Sequence, residues 1–218
     1  MARGANSRAT NSTGARTSSP TSGRELRAQG RQTMTRLLDA GAEALAESGY
    51  HGTRVDDVVR FAGVSHGTFY LYFSNKEDLF RAMATRCAED MEALASELGE
   101  VGPDQAGLDE LRRWIGEYFS LYRLHGPVIR AWAENQIDDR ALQKLGARSF
   151  GHITGTFADR LESASPRPVT SVDLRAAALL AMLERFAYLA VRRNLGWDDA
   201  AMLTTIAVLA HRGWFAET

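Results

Sequence analysis

The sequence is poor in cysteine and proline. Its single cysteine, Cys87, excludes an intramolecular disulfide, so the fold must be held by packing. Cys87 sits at an apolar position of a helical pattern and reads as a small buried hydrophobe, with a redox-sensing thiol as the alternative. Of the five prolines, Pro20, Pro103, Pro166 and Pro168 stand in segments that read as linkers, which leaves long stretches free to be helical. No apolar run is long enough for a bilayer. The strongest, AAALLAMLERFAYLAV at 176–191, is too short and carries Glu184 and Arg185 at its centre. The first 30 residues hold no signal-type apolar segment, so a soluble cytoplasmic protein is expected. Sustained period-two alternation is missing, which points away from sheet and toward an all-α fold. The five histidines, His51, His66, His125, His152 and His211, show no metal-ligand spacing, and no His-bearing cluster with a Ser or Cys nucleophile marks a catalytic site. Neither a metal, a cofactor nor an enzyme is expected.

Net charge is only −1, but it is unevenly placed. Residues 1–32 hold six arginines against one acid, whereas 81–218 hold 16 basic and 19 acidic side chains. A basic end on a mildly acidic body suits a protein that meets a polyanion with one end. Residues 1–23 are mostly Ser, Thr, Gly, Ala, Asn and Arg, too polar to offset the entropy of ordering, and are expected to be disordered. Their arginines read equally as a non-specific DNA arm or as a solubilising tail.

A first helix is expected over 27–48, with the stripe Met34, Leu37, Leu38, Ala42 and Leu45. Gly41 lies on that face and implies close approach of a neighbouring helix; Gly49 ends the run. Thr53 reads as the cap of a second helix, with Asp56 three residues on and Val55, Val58, Val59 and Ala62 at helical spacing. Gly63 stops it. Ser65 caps a third helix over 65–72. Ser74, with Glu77, caps a longer fourth that runs to about residue 98. After a linker at 99–107, helices are expected at 108–124, 127–139, 141–163, 172–194 and 199–215, with the clearest break at 164–171.

The informative feature is the pair 53–62 and 65–72, joined by Gly63 and Val64. Two short helices with so small a turn cross steeply, as in a helix-turn-helix. Val55, Val59, Val64 and Phe69 can pack on Leu38 and Leu45, with Phe73, Leu79 and Phe80 also inside. This presents the start of the third helix to a major groove. Ser65, His66, Gly67, Thr68 and Tyr70 are then the candidate readers, Gly67 permitting close approach. The helix starts at Thr53 and Ser74, with Arg54, Tyr72 and Lys76, are the candidate phosphate clamps.

The stretch GYHGTRVDDVVRFAGVSHGTFYLYFSNKEDLF, residues 49–80, resembles the signature of the TetR (tetracycline repressor) family. It carries the Gly-aromatic turn, the capping Thr, the Gly-Val-Ser turn, Gly-Thr-aromatic-Tyr, Tyr-Phe and Lys-Glu-x-Leu, in order and without gaps. The resemblance covers roughly Met34 to Met83. It implies a homodimer of about nine helices per subunit, the first three reading DNA and the long fourth leading into a ligand and dimer domain. By motif position it makes Thr53, Ser65, Thr68, Tyr70, Tyr72 and Lys76 the DNA-facing residues. His66 stands where the family often has Arg or Lys, which argues against a bidentate guanine contact there.

The resulting expectation is an all-α protein with a basic tail at 1–23, a helix-turn-helix domain at 24–80 and a ligand-binding and dimerisation domain at 81–218. Family resemblance and apolar pattern together place the dimer interface on 172–194 and 199–215. Trp114, Tyr118, Trp132, Phe150, Phe157 and Phe186 are the candidate lining of an effector cavity, since the family's cavity takes flat or lipophilic inducers. The leading reading is a repressor that binds a palindromic operator as a dimer and is released by a small effector. Its alternatives are a ligand-independent or activating regulator and a small-molecule binder without DNA binding.

Overall fold

In a computed structural model the described residues are 20–133, 139–164, 171–192 and 196–215, and they are helical almost throughout. The order is α1 (Pro20–Gly52), α2 (Val55–Ala62), α3 (His66–Tyr72), α4 (Lys76–Ser96), α5 (Gln105–Ala133), α6 (Arg140–Ala164), α7 (Val172–Arg192) and α8 (Asp199–Ala210). A π-helical turn, His211–Phe215, extends α8. The chain divides into two compact units, Met1–Thr35 and Arg36–Thr218. In the first, residues 1–19 of the expected disordered tail lie outside the described residues. Residues 20–23 open α1, where Pro20 occupies a position that has no use for its missing N–H. Everything below concerns the second unit.

The face of α1 that is buried runs through Leu37, Ala40, Ala44 and Leu45, while Leu38 is only half-buried. Gly41 is on that face. A Cβ there would stand 2.7 Å from Met83 Sδ and 3.0 Å from Leu79 Cδ2, so α1 and α4 are as close as the expected small residue implies. The helix kinks at Gly49, and one further turn follows before α2.

Two expected caps are displaced by one residue. Thr53 does not cap α2: its hydroxyl donates back to Gly49 O at 2.7 Å, and the cap position falls to Arg54, which offers no side-chain bond. The cap of α4 is Asn75, not Ser74. Asn75 Oδ1 accepts from Asp78 N at 2.8 Å, and Asp78 Oδ2 in turn accepts from Ser74 N at 3.1 Å. Asn caps as well as Ser, and the reciprocal partner is Asp78 in place of Glu77.

The two helices expected at 108–124 and 127–139 are one as far as Ala133, α5, with Pro127 inside it; residues 134–138 lie outside the described residues. Tyr122 and His125 before the proline are buried, as are Val128 and Ala131 after it. Core packing on both flanks keeps the helix continuous through a missing backbone bond. The last expected helix is shorter than 199–215, because α8 gives way to the π-helical turn at His211.

The core of the larger bundle gathers α5, α6, α7 and α8 around Leu111, Trp114, Ile115, Tyr122, Phe157, Leu161, Leu179, Leu183 and Ile206, all essentially inaccessible. α4 packs on α5 and α6, so one continuous helix links the helix-turn-helix to this bundle. No helix among the described residues is long and apolar enough to cross a membrane.

Candidate nucleic-acid interface and effector cavity

The turn between α2 and α3 is built by Gly63, whose φ of 61° and ψ of 40° are left-handed, a conformation that costs a side-chain-bearing residue but not glycine. Val64 N closes the turn on Val59 O at 3.1 Å. Arg36 of α1 pins it from outside, donating to Ala62 O at 2.5 Å and to Gly63 O at 3.3 Å. Phe69, fully buried, anchors α3 and meets Phe73 with ring centroids 5.7 Å apart. Burying one such ring contributes about 1.5–3 kcal/mol. With 69 and 73 turned inward, the opposite side of α3 faces solvent.

That side carries most of the expected readers. Ser65, His66, Gly67 and Tyr70 are exposed, and nothing crowds Gly67. Ser65 caps α3 by accepting from Thr68 N at 3.1 Å, and the two hydroxyls lie 3.0 Å apart. Thr68 is therefore half-buried and engaged in the cap. His66 Nε2 lies 2.6 Å from Asp56 Oδ1 of α2, a contact across the turn between two exposed side chains. Sequence reasoning overlooked Leu71, the most exposed large apolar side chain among the described residues at 83%. Its signal was present: it lies four residues after Gly67, on the same outward face.

The expected clamps divide. Arg54 is exposed at the start of α2, and Tyr72 is half-buried at the end of α3. Thr53 is buried. Lys76 is half-buried and folds its ammonium back onto the α1–α2 turn, donating to Tyr50 O at 3.2 Å and Thr53 O at 3.3 Å and lying 5.0 Å above the Tyr50 ring. These carbonyls supply the negative partner that a cation in the first turn of a helix lacks.

Further along α4, a cavity of about 440 Å³ opens between four helices. Cys87, Ala88, Met91 and Leu94 line it from α4, Trp114, Tyr118, Ile129 and Trp132 from α5, Gly146, Ser149, Phe150 and Ile153 from α6, and Leu180, Ala181 and Glu184 from α7. Four of the six expected lining residues are thus brought together: Trp114, Tyr118, Trp132 and Phe150. Phe157 is not among them. It stands behind Trp114, edge-on at 5.0 Å, in the closed part of the core. Phe186 is also elsewhere, stacked between Phe119 and Trp197 at 6.1 and 6.4 Å. It lies two residues after Glu184, which on a helix is nearly the opposite face.

The polar groups of the wall are few. Trp114 Nε1 donates to Leu94 O at 2.7 Å and Trp132 Nε1 to Leu142 O at 3.1 Å, so both indole N–H groups are spent on backbone. Among the described residues the hydroxyls of Tyr118 and Ser149 have no hydrogen-bond partner. Tyr122 donates to Glu184 Oε1 at 3.0 Å. Burial, then the neighbouring Tyr122 and Glu184, pushes the Tyr118 phenol far above its ordinary range. Burial likewise pushes the Cys87 thiol up to about 12, so it is an inert wall group and not a reactive thiolate.

Two polar links tie α4 to its neighbours beside the cavity, one to the start of α6 and one to α1. Arg81 of α4 donates to Asp139 Oδ2 at 2.6 Å, while Asp139 Oδ1 accepts from Ala141 N and Leu142 N and so caps α6. Arg86 donates to Asp39 of α1 at 2.8 Å and lies 3.9 Å from Asp90, which holds buried His125 of α5 at 2.7 Å. No group of three metal-ligating side chains stands together among the described residues.

Comparison with known proteins places this arrangement. The family model described as "Bacterial regulatory proteins, tetR family" matches residues 37–83. The chain is 35% identical over 97 residues to the fatty acid metabolism regulator protein of Bacillus subtilis, covering 43% of this chain and 47% of that one. It thus spans about half the length of that relative. It is 25% identical over 181 residues to the HTH-type transcriptional regulator EthR of Mycobacterium tuberculosis, covering 81% and 83%. Among solved structures, a TetR-like transcriptional regulator from a Rhodococcus species superposes with a TM-score of 0.63 at 23% identity, over 83% of this chain and 94% of that one.

Proposed function

We propose that this chain, whose residues 37–83 match the tetR family of bacterial regulatory proteins, is a cytoplasmic repressor that binds a palindromic DNA operator as a homodimer and releases it when a small lipophilic molecule fills the cavity. Residues 24–80 serve as the reader and 81–218 as the effector and dimer body. The observation that carries this reading is the combination of an outward α3, presenting Ser65, His66, Gly67 and Tyr70, with a separate apolar cavity on the same α4.

In the complex, the start of α3 enters a major groove, with Ser65, His66, Gly67, Thr68 and Tyr70 nearest the bases. Thr53, Arg54, Tyr72 and Lys76 line the phosphate walls. Trp114, Tyr118, Trp132 and Phe150 contact the effector. Dimerisation uses α7 and α8, whose Leu174 and Leu209 are 70% and 56% exposed in the single chain. Effector in the cavity displaces α6 relative to α4. The Arg81–Asp139 link conveys that shift to the reading head, and DNA weakens effector binding by the same factor that effector weakens DNA binding.

The filled Thr68–Ser65 cap and the His66–Asp56 contact favour a reader whose side chains rearrange on DNA, because both pairs occupy the groups that would meet bases. The test is selection of bound fragments from a random DNA pool, followed by release with lipophilic compounds. Recovery of a two-fold symmetric site, with release by at least one compound, is expected. Recovery of no preferred sequence would overturn the reading.

A further inference from the structure

Among the described residues the cavity has one charged group in its wall, the carboxylate of Glu184. Glu184 projects from α7 beside Leu180 and Ala181; among the described residues no Lys, Arg or His lines the cavity. Its carboxylate is half-buried and takes one hydrogen bond, from Tyr122. None of the ion pairs among the described residues includes it. Arg130 and Arg185 act on the Tyr122 hydroxyl, and their guanidiniums stand over the Tyr188 ring at 5.7 and 5.2 Å and are not among the lining residues.

A carboxylate in apolar surroundings is costly unless a partner of opposite charge or a strong donor meets it. The rest of the wall adds to this asymmetry. Trp114 and Tyr118 are stacked at 5.7 Å with an interplanar angle of 10°. Trp132 is held against Gly146, where even a Cβ would stand 3.1 Å from the indole. With both indole N–H groups bonded to backbone, these aromatics present ring surface and no free N–H donor. Ring faces attract cations and repel anions.

We propose that the cavity is selective for a lipophilic cation, an apolar body bearing an amine or quaternary ammonium, whose charge is met by Glu184 and whose body lies against Trp114, Tyr118 and Trp132. This rests on the reading of the cavity as the effector site and narrows its ligand. An acyl carboxylate of the same length would bring a second anion toward Glu184 and find no cation in the wall.

The experiment uses the full chain without DNA and three probes of one chain length, dodecyltrimethylammonium, dodecanoate and dodecanol, each below its aggregation concentration. Binding is followed by calorimetry and by the fluorescence of Trp114 and Trp132. The ammonium should bind about tenfold or more tightly than either of the others, the scale of one desolvated cation contact. Glu184→Gln preserves an acceptor for Tyr122 and should remove most of that preference while leaving dodecanol unchanged. Equal or tighter binding of dodecanoate by the unmodified protein would overturn the inference without reference to any variant. So would a preference that survives Glu184→Gln, or the failure of all three probes to bind. Release of selected DNA by the ammonium is measured separately: binding without release leaves the cavity's selectivity standing and overturns its role as an effector site.

Discussion

Lys76 is the residue for which the structure most changes the expected outcome of a substitution. Its ammonium has three donors, and two are directed at Tyr50 O and Thr53 O. It therefore holds the start of α4 to the turn that positions α2, and keeps one donor for a phosphate. Lys76→Met keeps the apolar stem over Tyr50 and removes the charge. Hydrogen bonds to a charged group contribute about 1.5–3 kcal/mol when well formed. These two are long and partly solvated, so a total loss of about 1–2 kcal/mol is expected. For a chain of this size that lowers the melting temperature by about 2–8 °C. On DNA, one lost phosphate contact per reading head should reduce the slope of log affinity against log salt by about 0.9, or about 2 for a dimer. Operator and scrambled duplex should be affected alike. The assays are a thermal melt and a salt titration on both duplexes. An unchanged melt would refute the staple across the turn. A melt lowered as expected with an unchanged salt slope would show that the ammonium never leaves the carbonyls for a phosphate.

Four other outcomes follow from the same geometry. Ser65→Ala removes the cap of α3 and should cost about 1 kcal/mol in urea denaturation; a loss below a few tenths would mean that the Thr68 hydroxyl takes over the cap. Gly41→Ala should be nearly neutral, because the gain in helix propensity offsets a shift of the flexible Met83 side chain, whereas Gly41→Val should destabilise by about 1–3 kcal/mol; indifference to valine would contradict the close approach of α1 and α4. Burial lowers the His125 imidazole below its ordinary value against the opposing pull of Asp90, so the unfolded chain takes up this proton first. Stability should thus fall as pH drops through about 6.5, and urea midpoints of His125→Gln should lose that part of the slope. Leu209→Arg should yield a monomer in sedimentation, and a dimer that persists would move the interface away from α8.

The reading head was legible because its chemistry is local. The Gly63 turn, the Ser65 cap and the inward pair Phe69 and Phe73 are each set by a few adjacent residues, and each stands where the spacing put it. The caps of α2 and α4 were missed by one position because several adjacent residues there can cap, and the choice depends on backbone angles that the preceding Gly49 kink and turn impose. Continuity of α5 through Pro127 was illegible for a different reason. Propensity weighs a proline by its missing bond, and the compensating burial of Tyr122, His125, Val128 and Ala131 comes from other helices.

The cavity marks where sequence periodicity stops being informative. Aromatics at helical spacing usually face inward, although Phe150 is 53% exposed at the cavity's edge, and inward is shared by closed core and open cavity. Phe157 and Trp114 are both buried, yet only Trp114 reaches the void, because Phe157 packs against its far side. Glu184, read in the chain only as a charge that breaks an apolar run, becomes the one charged group among the described residues of the wall once α4, α5, α6 and α7 close around it. The sequence by itself determined most of the helices, though not the continuity of α5 or the caps of α2 and α4, together with the outward edge of α3, since those depend on neighbours three or four residues away. Tertiary structure alone decided which inward residues meet a void and which polar groups meet each other across it, because those distances are set by how separate helices pack.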